Sequence, residues 1–151
     1  MSELSDTSND RESRWRALMA SAQDGDHAAY GELLSDLFPV LRRFVMRRWP
    51  NAHDTEDVVQ EILVSIHTVR QTYDRRRPFT PWLMTIAARR VADARAMAIL
   101  PAGQRQAIEL IKIQGLSLDE ASQVTGKSIG SLKVGIHRAI KAMRQALERN
   151  G

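Results

Sequence analysis

Hydrophobic residues recur at helical spacing along most of the chain. Trp15, Leu18, Met19 and Ala22 share one helical face and predict a first helix, which Asp24-Gly25-Asp26 ends. A pattern of this kind is typical of an amphipathic helix that buries one side against a core.

The same periodicity predicts a second helix capped by Asp26 and a third that runs from its N-cap, Asp54, to about Arg70. Pro39 is expected to kink or divide the second helix. A fourth helix is expected near Thr80-Pro81, since proline is favoured at early helical positions. No segment alternates as a strand would, so an all-α chain is predicted.

The second half of the chain contains helix-capping and turn residues at short intervals, which predicts shorter helices. After a break at 98–101, residues 104–114 predict a short helix, and Ser117 and Glu120 have the spacing of a capping box. The elements form two small helical domains, residues 14–97 and 103–151, joined by a short connector, 98–102. Residues 1–13 are rich in Ser and Asp and lack periodicity, so a disordered tail is expected.

Composition excludes several kinds of site. The chain has no cysteine, and its four histidines, His27, His53, His67 and His137, are scattered, so no disulfide and no metal site is expected. No glycine-rich phosphate loop or Ser-His-Asp arrangement is apparent, and we predict neither an enzyme nor a need for a cofactor.

Without an apolar run of membrane-spanning length or a signal peptide, the expected location is the cytoplasm. A net charge of +4 favours a polyanionic partner.

Residues 117–141 have the pattern of a helix-turn-helix, whose second helix can enter the major groove of DNA. Gly126 marks the turn and Ser128 is expected to cap the last helix. The predicted apolar stripe of that helix is Ile129, Leu132, Ile136, Ile140, Met143 and Leu147. The residues expected opposite the stripe are Ser131, Val134, Gly135, Arg138 and Lys141. The alternative interpretation is a helical hairpin with a solvated basic face.

Five segments carry a family resemblance. They are Asp24-Gly25-Asp26 with Ala28-Ala29-Tyr30, residues 54–61, residues 79–90, Leu100-Pro101 with Gln104-Arg105, and residues 129–133 with His137-Arg138-Ala139. In this order they resemble the sigma-two and sigma-four domains of extracytoplasmic-function (ECF) sigma factors of the sigma-70 family. The resemblance implies a factor that directs core RNA polymerase to specific promoters and promotes initiation. It also implies regulation by an anti-sigma factor, either membrane-bound or soluble.

The resemblance assigns roles to residues. The third helix would dock on polymerase through Asp54, Glu56, Asp57, Gln60 and Glu61, because acidic and amide groups suit a basic partner. The residues that would hold the melted minus-ten element of promoter DNA are Tyr73, Arg75, Arg76, Arg77, Arg89 and Arg90. Trp82 is expected in the core. The residues that would contact the minus-thirty-five element are Lys127, Ser128, Ser131, Lys133, His137, Arg138 and Lys141.

Two features depart from the family pattern. Val134-Gly135 stands where members commonly carry Ser-Arg, and valine forms no hydrogen bond with a base, so base readout is expected to be altered or weak. The connector from Ala96 to Pro101 reaches only about 17 Å. Two promoter elements more than one turn apart need at least about 34 Å between the reading heads. Either a flexible linker is omitted or deleted from this sequence, which we favour, or the chain cannot engage both elements at once.

A second hypothesis is a sigma-like interaction module that binds an anti-sigma factor without binding DNA. Val134-Gly135 and the short connector fit it, but it leaves the basic last helix unexplained, and the phosphoreceiver domain of such mimics is absent from the sequence. A third, a simple DNA-binding repressor, is disfavoured by the acidic segment 54–61 and by residues 79–90.

Overall fold

The computed structural model describes residues 2–50, 52 and 54–150, so that His53 lies outside the described residues. These residues form seven α-helices: α1 (Ser2–Gln23), α2 (His27–Arg48), α3 (Thr55–Val69), α4 (Phe79–Ala98), α5 (Ala102–Ile108), α6 (Leu118–Thr125) and α7 (Ile129–Asn150). A 3₁₀ turn, Arg70–Thr72, follows α3, and a π-helical turn, Glu109–Ile113, continues α5. The all-α prediction is confirmed. In the described part of the chain, no helix combines the length and apolarity needed to cross a membrane.

Side-chain caps begin several helices where the sequence predicts them. Asp26, Ser117 and Ser128 each accept a hydrogen bond from the backbone N–H three residues on, at 3.0–3.1 Å. Glu120 completes the capping box by accepting a bond from the Ser117 N–H at 3.1 Å, and this bond lowers the pKa of the Glu120 carboxyl. Caps of this kind stabilise a helix by about 1 kcal/mol.

The first of two compact units contains α1 to α3 and most of α4, and ends at Val91. Its core is apolar and includes Trp15, Met19, Leu33, Leu37, Leu41, Val45, Val59, Ile62, Ile66, Phe79, Leu83 and Ala87. Helix α2 runs through Pro39 as one element, so the predicted division does not occur. Pro39 is exposed while Leu37 and Leu41 are fully buried, and their packing holds the helix together across the missing backbone bond.

The disordered tail predicted for residues 1–13 is corrected, since α1 begins at Ser2. The Arg11 guanidinium lies 4.8 Å from the ring centroid of Trp15. The Glu12 carboxylate accepts hydrogen bonds from the backbone N–H groups of Phe79 and Thr80. The bonds to Glu12 join segments that are far apart in the chain, so the local composition gave no sign of them.

The second unit begins at Ala92 and contains the end of α4 with α5 to α7. It starts before the predicted connector because Met97 and Leu100 pack in a cluster with Ile108 and Ala139. A second cluster joins α5, α6 and α7 through Ala107, Ala121 and Leu132.

The buried face of α7 differs from the predicted apolar stripe. Leu132, Ala139 and Ala146 are buried, whereas Ile129 and Ile140 are 37% and 38% exposed. Alanines allow helices to approach closely, so they take core positions that a pattern of bulky residues does not indicate.

Candidate functional site

The acidic residues of α3 divide into a cap, an ion pair and an exposed face. Asp54 accepts a hydrogen bond from the Asp57 N–H at 3.2 Å and caps the helix. Glu56 Oε1 pairs with Arg42 Nε of α2 at 2.9 Å. The other predicted polymerase contacts are exposed and lie at i, i+3 and i+4 on one face: Asp57, Gln60 and Glu61.

This face continues to Val64, which is 63% exposed and was not among the predicted residues. The sequence pattern that indicates Val64 is its position seven residues after Asp57, which places both on the same side of the helix. The neighbouring Asp54 carboxylate raises the pKa of Asp57, mainly through charge repulsion. We call Asp57, Gln60, Glu61 and Val64 the α3 face. Exposed negative charge beside an apolar side chain suits a basic protein partner.

The loop between α3 and α4, residues 70–78, here called the basic loop, is built on aromatic rings. The Tyr73 ring is 4% exposed and its centroid lies 5.3 Å from those of Phe79 and Trp82. Its hydroxyl donates a hydrogen bond to the Arg77 carbonyl at 2.5 Å, and burial raises the pKa of the phenol. Tyr73 therefore supports the loop from inside, and it lines the adjoining cleft with the little surface that it leaves exposed.

A cleft of about 520 Å³ opens between the basic loop and α4. Its lining residues are Thr72, Tyr73, Asp74, Arg77, Pro78, Pro81, Trp82 and Thr85. Trp82, expected in the core, is only partly buried and lines this cleft. Cavities of this size hold small ligands, and the exposed part of an indole is a surface on which a nucleobase stacks.

The arginines of the basic loop are paired with carboxylates. Arg76 Nε and Arg77 Nε lie 3.0 and 3.8 Å from Asp74, and Arg75 makes two bonds to Asp24 at 2.5 and 3.1 Å. The bonds from Arg76 lower the pKa of Asp74 to about 2. The three arginine side chains are 45% to 89% exposed. Exposed pairs contribute little stability, so phosphate groups can replace the carboxylates.

The structure does not bring Arg89 and Arg90 to this cleft. They line a separate groove of about 280 Å³ between α3 and α4, together with Val64, Val69 and Ile86. The sequence prediction had grouped both arginines with the basic loop.

Helix α7 exposes most of the residues predicted to contact duplex DNA, namely Ser131, Lys133, His137, Arg138 and Lys141, as well as its cap Ser128. Lys127 is half-buried. A cleft of about 430 Å³ brings Lys127, Ser131 and Arg138 together with Gln104 of α5, which the prediction missed.

Val134 and Gly135 differ in burial. Val134 is 49% exposed. Gly135 is half-buried, and a Cβ placed on it would lie 3.9 Å from the Cβ of Ala107. Both residues line the cleft that also contains Lys127, Ser131 and Arg138.

Two family models match the chain. Sigma-70 region 2 matches residues 33–98, and Sigma-70, region 4 matches residues 94–143. The ECF RNA polymerase sigma factor SigF of Caulobacter vibrioides is 36% identical over 174 residues, covering 93% of this chain and 97% of that protein. SigD of Mycobacterium tuberculosis, also an ECF RNA polymerase sigma factor, is 28% identical, covering 89% of this chain and 84% of that protein. The solved structure of CnrH in complex with the cytosolic domain of CnrY aligns with a TM-score of 0.46 and 27% identity, covering 91% of this chain and 99% of that one.

Region 2 and region 4 of sigma-70 are matched in this order, so the chain is a transcription initiation factor rather than an enzyme. The chain belongs to the ECF RNA polymerase sigma factors of the sigma-70 family.

The join between the two regions is short. The matched segments overlap at 94–98, so this chain has no residues between region 2 and region 4. The alignment with SigF spans 174 positions against 151 residues here, so that relative carries residues that this chain lacks.

Proposed function

We propose that this sigma factor docks on core RNA polymerase through the α3 face and holds the single-stranded minus-ten element at the basic-loop cleft. The observation that carries the proposal is this cleft, where a partly exposed indole and an arginine border one cavity. Single-stranded nucleic acid is held by this combination of stacking surface and positive charge.

Docking through α3 is supported by the solvent exposure of the α3 face. The α3 face is exposed along two helical turns, while its opposite side is buried in the core of the unit. A polymerase surface rich in Lys and Arg would complement its charge.

Binding of the minus-thirty-five duplex by α7 is supported by the capped start of that helix and its exposed basic side chains. The N-terminus of a helix attracts phosphate, and Lys127 and Arg138 line the cleft beside it. Val134 offers a thymine methyl an apolar contact and no hydrogen bond.

An anti-sigma factor is proposed as a further partner. A groove of about 470 Å³ on α7 is lined by Ile140, Met143, Arg144, Leu147 and Glu148. Exposed apolar grooves on surface helices are typical of protein interfaces. Because polymerase and the chromosome are its proposed partners, the proposed location is the cytoplasm.

The experiment is transcription in vitro by the purified chain and core polymerase on promoter fragments from its own genome. The double variant Asp57→Ala, Glu61→Ala is expected to lose core binding and transcripts together. A matched double variant at exposed acids of the same unit, Asp10→Ala, Glu32→Ala, is expected to retain both. Absence of core binding by the wild-type chain would contradict the proposal and favour the interaction module that binds only an anti-sigma factor.

A further inference from the structure

Helix α1 lies outside the segment matched by the region 2 model, residues 33–98, and yet its side chains bond to the basic loop and to the start of α4 that follows it. The side chains involved are Glu12, Arg16 and Gln23. At about 100° per residue, these positions fall within about 40° of one another around the helix. They form one polar stripe beside the buried Met19.

Gln23 holds the start of the basic loop with both ends of its carboxamide. Its Nε2 donates hydrogen bonds to the carbonyl oxygens of Arg70 and Tyr73 at 2.8 and 3.0 Å. Its Oε1 accepts a bond from Arg75 Nε at 2.9 Å. One half-buried side chain thus fixes the relative positions of three loop residues.

Arg16 and Glu12 hold the middle and the end of the loop. Arg16 Nε donates to the Arg75 carbonyl at 2.9 Å. Glu12 accepts bonds from the N–H groups of Phe79 and Thr80, and from the Thr80 hydroxyl, where α4 begins.

The loop also has bonds of its own, and they connect Arg77 to the part of the loop that α1 holds. The Arg77 N–H donates to the Asp74 carbonyl at 3.0 Å, and the Tyr73 hydroxyl donates to the Arg77 carbonyl. The bond from the Tyr73 N–H to the Arg70 carbonyl is 3.4 Å, at the long end for a hydrogen bond. Because Gln23 holds the Tyr73 carbonyl, the wall of the cleft that contains Arg77 depends on α1 through Tyr73.

We propose that α1 is a positioning element for promoter recognition, in which Gln23 sets the shape of the basic-loop cleft and hence its selectivity among bases. The inference rests on the proposed function of that cleft in binding single-stranded promoter DNA. Gln23 acts through Arg70, Tyr73 and Arg75 and makes no contact with DNA itself.

The test uses holoenzyme reconstituted from the full chain and core polymerase. Wild-type holoenzyme enriches single-stranded oligonucleotides from a random pool, and selectivity is the ratio of its affinities for an enriched sequence and for the unselected pool. The variants are Gln23→Ala and Gln23→Glu, and Ser21→Ala, at an exposed residue of α1 outside the loop, is the matched control. Glutamate keeps the size and the acceptor toward Arg75 but has no N–H for the two carbonyls.

Both Gln23 variants are expected to lose about tenfold in selectivity, because two hydrogen bonds that order the loop are absent. The affinity for core polymerase is expected to stay unchanged, as is the selectivity of Ser21→Ala. If Gln23→Ala unfolds, Gln23→Glu, checked by circular dichroism, decides the outcome. Full selectivity in a folded Gln23 variant, or equal loss in the Ser21 control, would overturn the inference alone. Failure of the wild-type holoenzyme to enrich any sequence would overturn the proposed function of the cleft and the inference with it.

Discussion

The guanidinium of Arg105 donates a hydrogen bond to the carbonyl oxygen of Leu100 at 2.9 Å. The same side chain bonds to the carbonyls of Ala98 and Met97 at 3.1 and 3.3 Å. Carbonyls at a helix C-terminus lack partners within the helix, so one arginine of α5 caps the end of α4.

Replacing Arg105 with alanine is expected to lower the free energy of unfolding of the second unit by about 2 kcal/mol, since hydrogen bonds from a charged donor are lost. Urea denaturation of the full chain, followed by circular dichroism, measures the change. Arg144→Ala, at an exposed arginine of α7, is the control and is expected to change it by less than about 0.5 kcal/mol. Equal effects of the two substitutions would contradict the capping role.

Two glycines of the second unit are expected to respond to alanine with opposite signs. Gly135 is helical and a Cβ there meets only an ordinary contact with Ala107, so Gly135→Ala is expected to stabilise the unit by about 1 kcal/mol. Gly126 has a φ of +74°, so Gly126→Ala is expected to destabilise it by about 1 kcal/mol. Thermal unfolding measures both. Changes of the same sign in the two variants would contradict these assignments.

The carboxyl of Asp74 is expected to titrate near its lowered pKa of about 2, below its ordinary value of 3.8. A pKa lowered by folding means that the ionised form stabilises the folded loop above pH 3.8, and that this contribution is lost as the pH falls toward 2. Carbon-13 NMR of the side-chain carboxyl follows the titration. Arg76→Ala is expected to return the pKa toward 3.8, and Arg77→Ala to change it less, because the bonds from Arg76 are the main cause. The reverse order would show that Arg77 is the principal partner.

A longer connector is expected to let the two units bind DNA together. The boundary between the two units falls within α4, between Val91 and Ala92. Inserting a flexible segment of about 25 Gly and Ser residues at this boundary is expected to raise affinity for DNA with both promoter elements by about 100-fold, by making the second contact intramolecular. Anisotropy titrations with one-element and two-element fragments measure this gain. The same segment appended at the C-terminus is the control, and an unchanged affinity in the inserted variant would show that connector length is not limiting.

Local signals in the sequence predicted the parts of the fold that local bonds determine. The caps Asp26, Asp54 and Ser117 bond to N–H groups three residues away, so spacing alone identifies them. The exposed face of α3 was likewise readable, because helical periodicity separates its acids from its buried residues.

Contacts between distant segments account for what the sequence did not predict. Glu12 is ordered by bonds to the start of α4, and Tyr73 is buried by rings that follow it in the chain. From composition alone, Glu12 belonged to a polar N-terminal segment and Tyr73 was an aromatic residue in a basic loop, and neither fact indicates these contacts. On α7, Ala139 is buried and Ile140 is exposed, the reverse of the prediction. Ala139 packs against Leu100 and Ile108, and contact with a neighbouring element decides burial here more than the size of the side chain.

The α3 face bears on kinetics as well as affinity. Charges that remain fully in solvent attract an oppositely charged partner over a Debye length, about 8 Å in physiological salt. Such attraction accelerates encounter far more than it slows dissociation. Under the proposed docking of the α3 face on polymerase, its acids would govern how quickly this factor reaches free polymerase that it shares with other initiation factors, and ionic strength would alter that rate.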